Sequence, residues 1–480
     1  MLNRREFFGL TALASVQGTY AFPSRAQQQL AAIARPTLPG VEFLMSEEPA
    51  ASGPNFNAYN APTFKIPRLR ALCRNAEGVA ETIKWARDEN LPFAIRSTGH
   101  DFAGHSQHES LVIDTSPLDG IELDETGGTV RVGAGARNGA VSIALAEAGR
   151  ILGGGTHESV GMAGVTLGGG FGYFTRLAGL LCDQLQSLTL VDASGRIITV
   201  DQQAEPDLFW ACKGGGGGSL GIVTDLTYRT QEASHLTYVS APLIVDATTA
   251  AHLLHDWQHW VANLPRTTTM HLAVSWYVNG QFLLNLSGIS LDSAQSTKDD
   301  INQWVGENVL IADQWVQNRS AAETMDELYG VPHYVSALQF LGQSQTIKDP
   351  LSLGDIALLL HTLGSYPTGA VNLNFEALGG AMGDISTDAT AFPHRDARYI
   401  VHATKTVLDE TTRSSSQQAL QAVMASLGSH ATGGVYVNYP ETDLENWQSA
   451  YWGENLPRLQ AIKRQIDPTN LFHHDQSIPV

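Results

Sequence analysis

Between Ala71 and Thr230, short apolar runs alternate with amphipathic ones. "EGVAETIKWARDENL" (77–91) places Val79, Ile83, Trp85 and Ala86 on a helical stripe, and "PFAIRS" directly after it reads as a buried strand. "LVIDTS" (111–116) and "GTVRVGAGA" (128–136) predict two more strands, the second alternating with period two. "NGAVSIALAEAGRIL" (138–152) predicts a helix stopped by Gly153, Gly154 and Gly155. "SLTLVDASGRIITVD" (187–201) predicts a hairpin turning at Ala193-Ser194-Gly195, and "LGIVTDLTYRT" (220–230) predicts a further strand.

Beyond about Leu236 the pattern changes. "LTYVSAPLIV", "TMHLAVSWYVNGQFLLNLSGI" and "AVNLNFEALGG" predict longer antiparallel strands, with Asn279-Gly280 as a hairpin turn. "TAAHLLHDWQHWVANL" and "SSQQALQAVMASLGS" predict helices over one face of that sheet. From Gly434 onward the chain returns to tight motifs. The class is α+β, not a regular βαβ repeat, with changes of texture near 231 and 430.

Length and charge narrow the function. A chain of 480 residues exceeds one small core, and a formal charge of −19 provides no basic field for nucleic acid. Three cysteines, none in a Cys-x-x-Cys pair, imply neither a disulfide framework nor structural zinc. Sixteen histidines occur without a His-Glu-x-x-His pattern, so no metal site is expected. The N-terminus pairs Arg4 with Arg5 ahead of a short apolar stretch ending near Ala21 or Ala26. It resembles a twin-arginine signal over residues 1–26, which predicts a protein exported to the periplasm or beyond, already folded around a cofactor. The stretch is too short for a membrane anchor.

Two glycine runs, "VGMAGVTLGGGFGYF" (160–174) and "KGGGGGSLGIVT" (213–224), flank the question of chemistry. Consecutive glycines persist where a backbone turns with positive φ or approaches another surface closely, and a diphosphate held by backbone N–H groups is one such surface. Neither run is a Walker loop or a strand–GxGxxG–helix fingerprint. A third loop, "RSTGHDFAGHS" (96–106), could cradle phosphate, bind metal or react through a histidine.

These motifs, together with "GLLCDQL", "ATAFPHR", "YVNYPE" and "DPTNLFHHDQSI", resemble the vanillyl-alcohol-oxidase/p-cresol-methylhydroxylase (PCMH-type) flavoprotein superfamily, and within it the berberine-bridge-enzyme-like oxidases. The resemblance implies an FAD-binding domain at 40–230, an inserted antiparallel-sheet substrate domain backed by helices at 231–430, and a return to the FAD domain at 431–480. It implies that His100 bonds covalently to the flavin 8α-methyl. Arg96, Ser97, Thr98, Gly99, Asp101, Gly161, Gly164, Gly168, Gly169, Gly170, Gly172, Ile222 and Val223 would line the cofactor, with Tyr436, Asn438 and Asn470 as flavin-side contacts. His105 is expected to be a hydrogen-bonded loop residue.

Many relatives add a second flavin bond from a cysteine, and alignment puts His157 at that position. A single covalent tether is therefore expected, with Cys182 in the core. Tyr439, ending "YVNY", aligns with a tyrosine base, and Glu376 falls near a carboxylate of some sugar oxidases. A phenol with a pKa near 10 serves as base only when something stabilises its phenolate. Val160 aligns with a gate on oxygen access whose valine accompanies oxidases. The resemblance thus implies oxidation of a CH–OH group on a sugar, glycoside or phenolic small molecule, with O₂ as acceptor and hydrogen peroxide as product. Two other readings are a dehydrogenase serving a quinone or cytochrome, and a flavin- or ligand-binding protein without turnover. The sequence does not fix the oligomeric state.

Overall fold

The computed structural model describes residues 35–48, 56, 58–124, 128–306, 309–330, 339–366, 371–407 and 409–480. The arginine-paired N-terminal segment lies outside the described residues. Among the described residues three larger sheets carry the fold, and Arg150–Ile151 pairs with Gln231–Glu232 as a fourth of two strands.

The first has the strand order Val41–Met45, Leu69–Cys73, Leu111–Asp114, Phe93–Arg96, in which the last three are parallel and the first is an antiparallel edge. Helix Ala76–Asp88 begins where the Asn75 side chain accepts from the Gly78 N–H at 2.7 Å, and it buries Val79, Ile83 and Ala86. Because strands 93–96 and 111–114 run parallel, the intervening chain must cross from one end of the sheet to the other. The "STGHDFAGHS" loop is that crossing, and it leaves from the carboxyl end of strand 93–96.

The second sheet is antiparallel, ordered Ile121–Asp124, Thr129–Gly133, Ile222–Arg229, Leu185–Val191, Ile197–Asp201. Gly195, at φ +79, makes the expected hairpin turn. One expectation fails: helix Asn138–Glu147 ends well before Gly153. Gly149, at φ +67, stops it, and Arg150–Ile151 already forms a short strand. Gly153 to Gly155 instead pack closely, since a Cβ on Gly154 would meet Leu181 Cδ2 at 2.7 Å.

The third sheet has seven antiparallel strands, ordered Val316–Ser320, His235–Asp246, Gln281–Ser290, Thr268–Trp276, Asn372–Ala377, Tyr399–Thr406, Phe340–Ile347. Asn279 and Gly280 both have positive φ, the geometry a tight two-residue hairpin needs. One sheet face carries Leu272, Val274, Leu373, Phe375, Tyr399 and Val401. It packs with helices Ala247–Asn263, Ala294–Val305, Leu353–Gly364 and Arg413–Ala425 around Trp257.

Arg395 of "FPHR" ties the sequence-distant 180–184 turn to the strand region around 390–400. Its guanidinium donates to both Asp183 oxygens at 2.7 and 2.8 Å, with both side chains almost wholly buried. Arg395→Ala strands the Asp183 carboxylate without its cation. We expect a loss of about 3–5 kcal/mol, measured as a fall of several degrees in Tm.

Candidate active site

The 97–110 loop rests on a buried ionic base. Arg96, 2% exposed, stands over the Phe56 ring, lies 3.6 Å from Asp114, and donates to the Thr98 carbonyl at 3.1 Å. Gly99, at φ +80, passes so close to this guanidinium that a Cβ would sit 2.1 Å from Arg96 Nη1. Arg96 therefore shapes the loop from beneath and does not line the cavity, contrary to expectation. Asp101 Oδ1 accepts from the His105 N–H at 2.7 Å and closes the next turn.

The next side chain, His100, lies within a hydrogen-bonded group. Its Nδ1 lies 3.0 Å from Ser159 Oγ, which lies 3.0 Å from His157 Nδ1, and His157 in turn approaches Glu158 Oε2 at 3.1 Å. Tyr59 packs its ring on the imidazole at 3.8 Å between centroids. Burial, with His157 and Arg137 nearby, holds the His100 pKa well below the usual histidine range. The imidazole is thus neutral and held in place.

These residues open onto a cavity of about 620 Å³. Ser97, Thr98, Gly99, His100, Asp101, His157, Val160, Gly161, Gly164, Val223, Tyr436, Asn438, Tyr439 and Glu376 line it, as do Gly215 to Gly218. The two glycine runs have different tasks. Gly164 and Gly217 have nothing within 4 Å of where a Cβ would project, so bare backbone faces open space there. Gly168, Gly169, Gly170 and Gly172 do not line the cavity. A Cβ on Gly168 would meet Asn438 Oδ1 at 2.1 Å, and one on Gly172 would meet the Gly154 backbone at 2.9 Å. Gly170 N–H donates to Tyr436 Oη at 3.0 Å, and Asn438 Nδ2 donates to the Val165 carbonyl at 3.0 Å. That run docks the "YVNY" turn.

Two other expected contacts also lie off the cavity. Ile222 is buried one residue before Val223 and paired with Val191. Asn470, at φ +52, turns the chain after helix Leu456–Ile466. In the same turn Asp467, bound by Lys463 Nζ at 2.6 Å, accepts from the Leu471 and Phe472 N–H groups. This turn brings Phe472 and His474 to the cavity wall.

The other wall is the polar face of the seven-stranded sheet. His271 and Ala273, Ser287, Asn374 and Glu376, and His402, Thr404 and Thr406 alternate along four strands and line the cavity. Tyr439 donates its hydroxyl to Glu376 Oε1 at 3.0 Å. The His402 ring lies on Tyr439 at 3.8 Å with planes 16° apart, and Phe102 is nearly parallel to both. Burial raises the Glu376 pKa to about 8, against the lowering effect of the Tyr439 hydrogen bond. Burial, then the Glu376 charge, pushes Tyr439 well above the ordinary phenol range. The proton of this pair therefore resides on the tyrosine.

His402, His271, Phe102 and Tyr59 were not singled out from the sequence. The available signal was polar residues at every second position of strands otherwise rich in β-branched and aromatic side chains, as in "NLNFEA" and "YIVHATKT".

The three cysteines are free and buried, and burial raises the Cys182 thiol pKa. No group of three or more His, Cys, Asp or Glu among the described residues could hold a metal ion. No described helix is long and apolar enough to cross a membrane.

Residues 67–201 match the FAD binding domain family, and residues 435–479 match the berberine and berberine like family. The uncharacterized FAD-linked oxidoreductase YgaK of Bacillus subtilis is 31% identical over 441 residues, covering 88% of this chain and 93% of that protein. The chain belongs to the berberine-bridge-enzyme-like FAD-linked oxidoreductases. A crystal structure of berberine bridge enzyme from Eschscholzia californica superposes with a TM-score of 0.85 at 24% identity, covering 91% of this chain and 96% of that one. The fold is thus the PCMH-type FAD-binding fold. Chitooligosaccharide oxidase of Gibberella zeae is 27% identical over 457 residues, covering 88% of this chain and 89% of that protein.

The cavity of this berberine-bridge-enzyme-like chain fits FAD in one specific respect. Among the described residues no lysine or arginine lines it, so a diphosphate there would be held by backbone N–H groups, and bare backbone faces open space at Gly164 and Gly217.

Proposed function

We propose that the chain is an exported FAD-dependent oxidase that removes a hydride from a CH–OH group of a sugar, glycoside or phenolic small molecule. O₂ takes the electrons and leaves as hydrogen peroxide. His100 would be the single tether of a bound flavin, since His157 stands where a second tether would be a cysteine. The observation that carries this reading is the 3.0 Å Tyr439–Glu376 hydrogen bond on the wall facing the His100 loop. Bound FAD supplies the hydride acceptor.

The chain's own residues handle the proton. Tyr439 Oη takes the proton of the substrate hydroxyl while passing its own to Glu376 Oε1, so the carboxylate is the final acceptor and no free phenolate forms. This revises the role expected of the tyrosine, since burial and the carboxylate both disfavour its ionisation. His402 lies flat on the tyrosine ring and Phe102 packs beside it, nearly parallel, and together they fix its plane. Val160, partly buried on the cavity wall, would set the room for O₂ beside a bound flavin.

The reading is tested by anaerobic mixing with a panel of sugars, glycosides and phenolic alcohols, followed by admission of air. An oxidase loses its visible flavin absorption, regains it rapidly in air and yields one peroxide per turnover. Val160→Leu should slow only the reoxidation. Slow reoxidation of the wild type in air with rapid recovery on a quinone dye establishes the dehydrogenase instead. The pH dependence follows from Glu376. Its raised pKa, about 8, leaves the carboxyl protonated and unable to accept below that value. kcat/KM is therefore expected to fall about tenfold per pH unit below the pKa and to level off above it.

A further inference from the structure

The sheet wall holds three buried polar atoms without a partner among the described residues: His271 Nε2, Glu376 Oε2 and His402 Nε2. Their strands lie side by side in the order Thr268–Trp276, Asn372–Ala377, Tyr399–Thr406, and all three residues line the cavity.

Local bonding defines what each atom offers. The Ala377 N–H donates to His271 Nδ1 at 3.0 Å, so that nitrogen holds the lone pair. Burial lowers the His271 pKa to about 4, so the ring is neutral and its proton sits on Nε2. His271 thus presents an N–H with no acceptor. His402 is likewise neutral, pushed down to about 3 by burial, and lies flat against Tyr439. Glu376 spends only Oε1 on the tyrosine. Buried donors and acceptors are nearly always paired, so three orphans on adjacent strands point to a ligand that carries both.

Charge narrows the ligand further. Among the described residues the cavity has no lysine or arginine to meet a carboxylate or phosphate on a substrate. Its two acids among the described residues are Asp101, which accepts from the His105 N–H, and Glu376, which shares Oε1 with Tyr439. An amine cation could meet Glu376 Oε2 but carries no acceptor for the His271 Nε2 N–H. A plain aromatic alcohol would cover the three atoms without pairing them.

We propose that His271, His402 and Glu376 Oε2 form a hydroxyl-binding subsite, and that the substrate is an uncharged polyhydroxylated molecule, a saccharide, not an amine, a carboxylate or a simple phenol. The proposal rests on the oxidase reading and narrows its substrate class.

The test titrates the oxidised holoenzyme with cellobiose and N,N′-diacetylchitobiose, with benzylamine, glucuronate and coniferyl alcohol as contrasts. Binding is read from the perturbed visible flavin band. A saccharide is expected to bind more tightly than any contrast compound. His402→Phe and His271→Leu should each weaken it by roughly tenfold or more, while His402→Gln, which keeps a polar atom, stays closer to wild type. Flavin content and Tm are checked for each variant; because His271 also caps a backbone N–H, His402→Phe is the decisive one. The proposal is overturned if neither saccharide binds, if a contrast compound binds more tightly, or if His402→Phe binds saccharide like wild type. Saccharide binding without anaerobic bleaching would sink the oxidase reading alone. Bleaching by a phenol or amine, without saccharide binding, would sink the subsite alone.

Discussion

Glu376→Gln is expected to lower kcat by about 10²- to 10⁴-fold while leaving flavin content unchanged. The amide keeps the size of the side chain, and its Oε1 still accepts from Tyr439, so the wall stays in place. What it loses is the ability to take a proton. Tyr439→Phe removes the other half of the relay and should cost a similar factor. Because the two act as one unit, the double variant should be little slower than either single variant. Stopped-flow measurement of the flavin-bleaching step separates this from product release. A Glu376→Gln enzyme that bleaches as fast as wild type, or fully additive losses in the double variant, would eliminate the relay. The alternative, an unassisted Tyr439 phenolate, runs against the burial and the neighbouring carboxylate that both hold its proton on.

His100→Ala should convert a flavin retained after acid precipitation or in denaturing gels into one released completely. The neutral imidazole in wild type has an available lone pair, and its ring is held between Tyr59 and the Ser159 hydroxyl. Alanine removes the only nucleophile of the 97–106 loop placed in this group, yet leaves the glycine backbone that faces the cavity. The variant is therefore expected to hold FAD non-covalently and to respond to added FAD. His157→Ala should retain acid-stable flavin, and so should Cys182→Ala, whose thiol is buried in the packing around Phe171, Leu180 and Tyr436. Acid-stable flavin in His100→Ala would place the tether elsewhere, and flavin released intact from wild type would remove it altogether.

Local pattern was enough to read the strands around 93–96, 111–114 and 129–133, the hairpins at Ser194-Gly195 and Asn279-Gly280, and the α+β class. Each depends on side chains close in sequence. The loop carrying His100 was equally legible, because a glycine-rich crossing after a parallel strand concentrates its chemistry within a few residues. The helix stop was misplaced at Gly153 because a glycine run looks like a terminator wherever it lies, and only the chain path showed that Gly149 had already done so. By itself, the sequence determined most of the elements, the family and the loop whose residues line the cavity. Tertiary structure decided which glycines face the cavity and which pack, for the 168–170 and 215–218 runs have the same composition but different neighbours. It also sent Arg96 beneath the loop to Asp114. Above all it assembled the polar sheet wall of the cavity, since His271, Glu376 and His402 come from strands more than a hundred residues apart at the extremes. Their shared face lines the cavity only because adjacent strands align alternate side chains while the opposite, apolar face is sealed by helices.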